Sequence, residues 1–197
     1  MKLVLASKNQ KKLVEMNEIL SHLGIQVCSE AEAGVDVEVE ETGTTFEENS
    51  LLKAEAVMEA SGMPAIADDS GLCVDTLGGA PGVYSARYGG EGLDDTGRYR
   101  LLLENMRGQT PRTAKFVSVI TCCFPNGDVL SARGECPGTI AFAPMGEGGF
   151  GYDPVFFIPS LKKTFAQLSP EEKNAISHRG KALEAFQVKL EEYLKKN

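Results

Sequence analysis

The stretch Lys2-Leu3-Val4-Leu5-Ala6-Ser7-Lys8-Asn9-Gln10-Lys11-Lys12-Leu13 decides the fold class. The apolar run after Lys2 reads as a buried strand, and Ser7 to Lys12 is polar. Leu13, Met16, Leu20 and Leu23 then recur at three- and four-residue spacing, the period of one helix face. A strand, a polar turn and a helix in that order open an α/β chain. Working outward, Val35 to Val39 alternates apolar and acidic residues and predicts a second strand ending at Glu40-Glu41-Thr42-Gly43. Thr45 and Glu48 have the spacing of a capping box, which opens a helix from Phe46 to Ser61, and Gly62 ends it. Ala65 to Ala67 and Leu72 to Val74 predict short strands flanking Asp68-Asp69-Ser70-Gly71. The run Gly78-Gly79-Ala80-Pro81-Gly82 must turn.

Further along, a helix is expected from Asp94 to Met106. A hairpin should pair Phe116 to Phe124 with Val129 to Arg133 across Pro125-Asn126-Gly127-Asp128. Gly146 to Asp153 is a glycine-rich loop, and Ser169-Pro170-Glu171-Glu172 has an N-cap, a proline at the first helical position and a glutamate at the third. The last helix is expected to bury Leu183, Phe186, Leu190 and Leu194. Crossovers and hairpins together predict an α/β (mixed α+β) fold around one mixed sheet, as a single domain over 1–197 without repeats or linkers.

With 197 residues and 42% hydrophobic content, the chain can bury a core without disulfides or a structural metal. No apolar run approaches the roughly 20 residues of a membrane span, and the one after Lys2 is too short for a signal peptide, so a soluble cytoplasmic protein with no membrane partner is expected. Five cysteines, an odd number with no C-x-x-C spacing, fit reduced thiols packed in a core. A net charge of -8 argues against a nucleic-acid partner, because such proteins neutralise many phosphates with Lys and Arg. Small anionic ligands stay open to a chain that offers local cations or a metal.

Four constellations could carry chemistry. Ser7-Lys8-Asn9-Gln10-Lys11-Lys12 lies where a strand becomes a helix, where unpaired N–H groups and the helix dipole favour a phosphate. The plainer reading is a capped, solvated helix start. Glu40 and Glu41, with Asp68 and Asp69, place carboxylates at two strand ends, and magnesium takes one or two carboxylates plus water and phosphate. Adjacent strand residues point opposite ways, so one of each pair faces a ligand, and the pattern does not choose which. In Gly148-Gly149-Phe150-Gly151-Tyr152-Asp153, Phe150 or Tyr152 could stack on a base and Asp153 could accept from a purine N–H, or the rings could serve the core. Lys173 with Ser177-His178-Arg179 supplies donors and a cation, or merely a solvated helix start.

Taken in order, these segments resemble the inosine triphosphate pyrophosphatase family, the house-cleaning pyrophosphatases of non-standard purine nucleotides. The resemblance runs nearly end to end, through Ser7-x-Asn9-x-x-Lys12-x-x-Glu15, Glu41-Thr42-Gly43-x-Thr45-Phe46-x-Glu48-Asn49, Ala67-Asp68-Asp69-Ser70-Gly71-Leu72, Leu77-Gly78-Gly79-x-Pro81-Gly82-Val83-Tyr84-Ser85-Ala86-Arg87, Gly148 to Pro154 and Ile176-Ser177-His178-Arg179. It implies an elongated two-lobed fold with a central nucleotide-binding cleft, a homodimer, and Mg2+-dependent hydrolysis of ITP, dITP, XTP and dXTP to monophosphate and pyrophosphate, which keeps hypoxanthine and xanthine out of DNA and RNA. By position, it implies that Ser7, Lys8, Asn9, Gln10, Lys11 and Lys12 hold the triphosphate. Glu40 and Asp69 would bind the metal, and Asp69 would also accept the proton. Ser70, Phe150, Gly151, Tyr152, Asp153, Lys173, His178 and Arg179 would bind the nucleotide. Glu40 and Glu41 are adjacent, so a one-residue shift would exchange them. The rival readings are a pyrimidine-directed pyrophosphatase, a non-catalytic nucleotide sensor and a hydrolase of the terminal phosphate.

Overall fold

Leu3, Val4 and Leu5 are fully buried in the first strand, β1 (Lys2–Leu5), of the computed structural model, which describes residues 1–196. α1 (Gln10–Leu20) follows and turns Met16 and Leu20 inward. The chain returns as β2 (Gln26–Cys28), parallel to β1. This strand stands in place of the one expected at Val35 to Val39. There the alternation has another cause: Val35 and Val37 pack against the core, and the Val37 N–H donates to the Glu30 carboxylate at 3.0 Å rather than to a neighbouring strand.

α2 (Phe46–Ser61) starts and stops as read. Thr45 Oγ1 accepts from the Glu48 N–H at 3.1 Å, and Gly62 caps the far end. The Glu48 carboxylate accepts from Thr44, one residue outside the usual reciprocal bond. β3 (Ala65–Val74) is one strand of 10 residues that runs straight through Asp68-Asp69-Ser70-Gly71, where two short strands flanking that segment were expected. β1 pairs with β3 only at Ala65 and Ile66, and the strand on the other side, β4 (Thr113–Cys123), brings Ser118 against Asp68 further along.

α3 (Asp95–Asn105) is capped by Asp94. β4 and β5 (Val129–Ile140) extend the expected hairpin at its open end. β6 (Phe156–Ile158) and β7 (Lys163–Thr164), too short to show a period, add on antiparallel. α4 (Pro170–Ile176) opens with a complete capping box on Ser169 and Glu172, and α5 (His178–Lys196) follows it. α5 buries Leu183, Phe186 and Leu190, while Leu194 is half exposed, contrary to expectation. Tyr193 takes that place by stacking on Phe124 at 4.5 Å.

The strand order β2-β1-β3-β4-β5-β6-β7, with parallel and antiparallel pairs, makes the mixed sheet that the sequence implies. The chain divides into two compact units. The first holds Met1–Asp69, Ser118–Gly134 and the segment from His178 onward, and the second holds Ser70–Val117 and Glu135–Ser177. In the first unit, Leu3, Leu5 and Ile66 face one cluster with residues of α1 and α5. Val4, Ala65 and Ala67 face another with Ala54 and Val57 of α2. The second unit is built around Phe116, Phe156 and Phe165, whose rings meet at 4.5 to 5.6 Å. Among the described residues, no helix is long and apolar enough to cross a membrane.

Candidate active site

Strand alternation sends Asp68 and Asp69 to opposite faces of β3. Asp68 continues the face of Ile66, toward α1 and α5, and is fully buried. Its Oδ2 accepts from Arg179 Nε at 3.1 Å and Nη2 at 3.0 Å and lies 2.9 Å from Lys12 Nζ. Its Oδ1 accepts from Ser118 Oγ at 2.6 Å. The other terminal nitrogen of Arg179 donates to Glu15. Burial opposes the charge on Arg179, but Asp68 and Glu15 outweigh it and hold the guanidinium protonated. Burial pushes the Lys12 ammonium below its ordinary range, against the pull of Asp68. The cluster is thus a buried set of two cations and two carboxylates with its lone pairs largely filled.

Asp69 continues the face of Ala65 and Ala67, toward α2. Its Oδ1 accepts from Lys53 Nζ at 3.0 Å, and Lys53 also lies 3.4 Å from Glu41 and donates to the Asp68 backbone carbonyl. Oδ2 of Asp69 is buried with no hydrogen-bond partner among the described residues. Burial raises the Asp69 carboxyl above its ordinary range, and Lys53 offsets only part of this because it is shared with Glu41. Lys53 itself loses to burial but gains more from its two carboxylates, and its ammonium is held protonated. A buried carboxylate oxygen without a donor is costly unless a cation or a proton completes it, so Asp69 fits a divalent metal. Among the described residues, no three His, Cys, Asp or Glu side chains gather around one point, and a cation here would need water or phosphate to fill its shell.

Of the two candidate glutamates, Glu41 is the one that shares Lys53 with Asp69, while Glu40 is exposed. In the first loop, Asn9 caps α1, its Oδ1 accepting from Lys11 N at 3.0 Å and Lys12 N at 3.4 Å, and Ser7 Oγ accepts from Asn9 N at 3.2 Å. Lys8 pairs with Asp36 at the surface, Gln10 and Lys11 are exposed, and Lys12 turns inward to Asp68. Gly134 of β5 lets α5 approach closely, since a Cβ there would collide with the His178 carbonyl and the Ala182 nitrogen. That approach seats the buried His178 and Arg179.

The second unit holds Ser70, half-buried on β3, and the glycine-rich loop. Asp153 Oδ2 accepts from Phe150 N at 3.1 Å and from Lys173 Nζ at 2.8 Å, with both charged groups buried. Lys173 lies 4.8 Å from the centre of the Phe150 ring. Gly149 has φ +68, and a Cβ on it would run into the Asp153 carboxylate, so this tight loop needs glycine there. Tyr152 packs its ring into the core and donates its hydroxyl to the Ser85 carbonyl at 2.7 Å, which leaves Phe150 as the partly exposed ring.

A model of the Ham1 family matches residues 3–189. The chain belongs to the Ham1 family. Its Ham1 relatives include the dITP/XTP pyrophosphatase of Desulforamulus reducens, 53% identical over 185 residues that cover 93% of this chain and 92% of the relative. The dITP/XTP pyrophosphatase of Bacillus subtilis is 46% identical over 190 residues, covering 95% and 96%. The Ham1 protein of Staphylococcus aureus superposes with a TM-score of 0.88 at 44% identity, covering 98% of this chain and all of that one, 100%. This Ham1 chain owes two site residues, Lys53 and Ser118, to its structure rather than to its motifs. Lys53 carries no spacing signal in α2, and Ser118 shows only as a polar residue inside an apolar strand. Glu15 was legible as the residue three after Lys12 on one helix face.

Proposed function

We propose that the chain is a magnesium-dependent nucleoside-triphosphate pyrophosphatase acting on non-standard purine nucleotides (ITP, dITP, XTP and dXTP), with monophosphate and pyrophosphate as products. The observation that carries this reading is Asp69, a buried carboxylate with one oxygen fixed by Lys53 and the other unpartnered, in a chain whose relatives are dITP/XTP pyrophosphatases. Asp69 accepts the proton of a water that attacks the α phosphorus in line, and Lys53 keeps its carboxylate aimed. Asp69 and Glu40 would hold magnesium, with Glu41 the alternative. When bound, magnesium supplies neutralisation of charge on the phosphates.

Ser7 to Lys12 take the triphosphate through backbone donors and through Lys8, Lys11 and Lys12. Lys12 and Lys173 stabilise the departing pyrophosphate. Phe150 stacks on the base, with Ser70, Gly151, Tyr152 and Asp153 shaping its surroundings. His178, with Arg179 beside it, favours the 6-keto oxygen of hypoxanthine and xanthine over the amino group of adenine. The whole of 1–197 works as one catalytic domain, in the cytoplasm and as a homodimer, a reading supported by the motif resemblance. Ion-exchange analysis of products from ITP, XTP, ATP and GTP, each with and without magnesium, tests the reading. Magnesium-dependent IMP and pyrophosphate, with ATP and GTP nearly untouched, is expected. IDP with orthophosphate would overturn it.

A further inference from the structure

Three of the four residues from Gly148 to Gly151 are glycine, so the backbone around Phe150 pays a large entropy for being ordered. The bond from Phe150 N to Asp153 folds the loop on itself, and Gly148 N donates to the Ala166 carbonyl at the loop's start. Two further bonds tie the residues after Phe150 to α3 and to the Pro81 to Arg87 run, and both reach residues without an assigned role. Gly151 N donates to Asp95 Oδ2 at 3.0 Å, and the Tyr152 hydroxyl donates to the Ser85 carbonyl at 2.7 Å. They flank the peptide that follows Phe150.

Each anchor is itself held. Asp94 Oδ1 caps α3 by accepting from Gly97 N at 2.7 Å, which frees the Asp95 carboxylate from capping and lets Oδ2 reach out to the loop. Ser85 is buried in the Pro81 to Arg87 run, which carries the motif resemblance but no assigned task. Its hydroxyl donates to the Gly82 carbonyl at 2.7 Å and accepts from Leu72 N at 2.9 Å. Leu72 lies on β3, three residues beyond Asp69, so the strand that carries the catalytic carboxylate also ties down Ser85 and, through it, Tyr152.

We propose that Asp95 and Ser85 are positioning residues for base recognition: they hold the Phe150 peptide in place through Gly151 and Tyr152 without touching the nucleotide. The inference rests on the reading that Phe150 receives the base. A loop already anchored costs the ligand little ordering entropy, and a freed loop passes that cost to binding. Loss of an anchor therefore raises KM and spares kcat, since the reacting atoms are served by Asp69.

Steady-state kinetics with ITP and magnesium on Asp95→Ala, Asp95→Asn, Tyr152→Phe and Phe150→Ala test this, with thermal melting to verify folding. Asp95→Ala should raise KM about five- to tenfold, the worth of one hydrogen bond, with kcat within about twofold. Asp95→Asn should restore KM, because its amide oxygen still accepts from Gly151 N. Tyr152→Phe keeps the ring in the core and loses only the bond to Ser85, and it should raise KM like Asp95→Ala. Wild-type KM in Asp95→Ala and Tyr152→Phe, or the same rise in Asp95→Asn as in Asp95→Ala, overturns the proposal. Phe150→Ala separates the layers: unchanged KM there sinks the base-stacking reading itself, whereas a rise there alone sinks only the anchoring.

Discussion

Asp68 and Asp69 are adjacent carboxylates on one strand, yet their surroundings could hardly differ more. Around Asp68, two cations and a hydroxyl fill the carboxylate, and the charge is spent on holding α1 and α5 to the sheet. Around Asp69, one lysine is divided between two carboxylates, and an oxygen is left without a donor among the described residues. Nothing in the residue type separates them. The difference is one step of strand alternation, which points one toward Lys12 and Arg179 and the other toward α2. A buried carboxylate with its partners complete ties elements together, and one with an open oxygen leaves room for a cation or a proton.

The largest test of this contrast is Asp68→Ala. It strips Arg179 and Lys12 of the buried carboxylate they share and should cost about 3–5 kcal/mol in unfolding by denaturant. A loss below about 1 kcal/mol would mean that water reaches and screens the cluster. Next, Asp69→Asn should lower kcat for ITP by about a hundredfold or more, equivalent to roughly 2.7 kcal/mol. It should also destabilise the fold less than Asp68→Ala, since Lys53 keeps Glu41. Turnover near that of the wild type would end the assignment of Asp69 as base.

Lys53→Met removes the donor to Asp69 Oδ1. A fall in kcat of about tenfold, with KM for ITP little changed, is expected if Lys53 aims that carboxylate, because one charge-assisted bond is lost. A KM effect without a kcat effect would assign Lys53 to substrate binding instead. The smallest effect belongs to an exposed carboxylate. Glu172 is held below its ordinary value of 4.5 by the Ser169 N–H and then by the Ser169 hydroxyl. A depressed carboxyl stabilises the fold above that value and loses this as pH falls through its folded pKa. Glu172→Gln should therefore melt slightly below wild type at pH 6, and the gap should close toward pH 3. A gap constant across that range would show that the charge is irrelevant to the cap.

Elements with strong local signals were legible. The α2 boundaries followed from Thr45 and Gly62, the α4 start from Ser169 and Pro170, and the order of the motif segments led to the family. Val35 to Val39 misled because alternation reports which side chains are buried, not whether a neighbouring strand supplies hydrogen bonds. Ala65 to Ala67 and Leu72 to Val74 read as two strands because the polar residues and glycine of Asp68-Asp69-Ser70-Gly71 interrupt the apolar run, and pairing in the sheet carried one strand through. Leu194 gave way to Tyr193 because the ring of Phe124 offered the larger partner.

By itself the sequence determined the α/β class, the helix caps and the order of motif segments that marks the family, since each depends on residues near one another in the chain. Only the tertiary structure decided which carboxylate is filled and which is open, that Lys53 joins Glu41 to Asp69, and that Asp153 is spent on Lys173 and Phe150. Those outcomes depend on which side chains from distant segments converge on one buried atom. Spacing along a chain does not encode convergence, whereas burial makes each missing or added partner worth kilocalories.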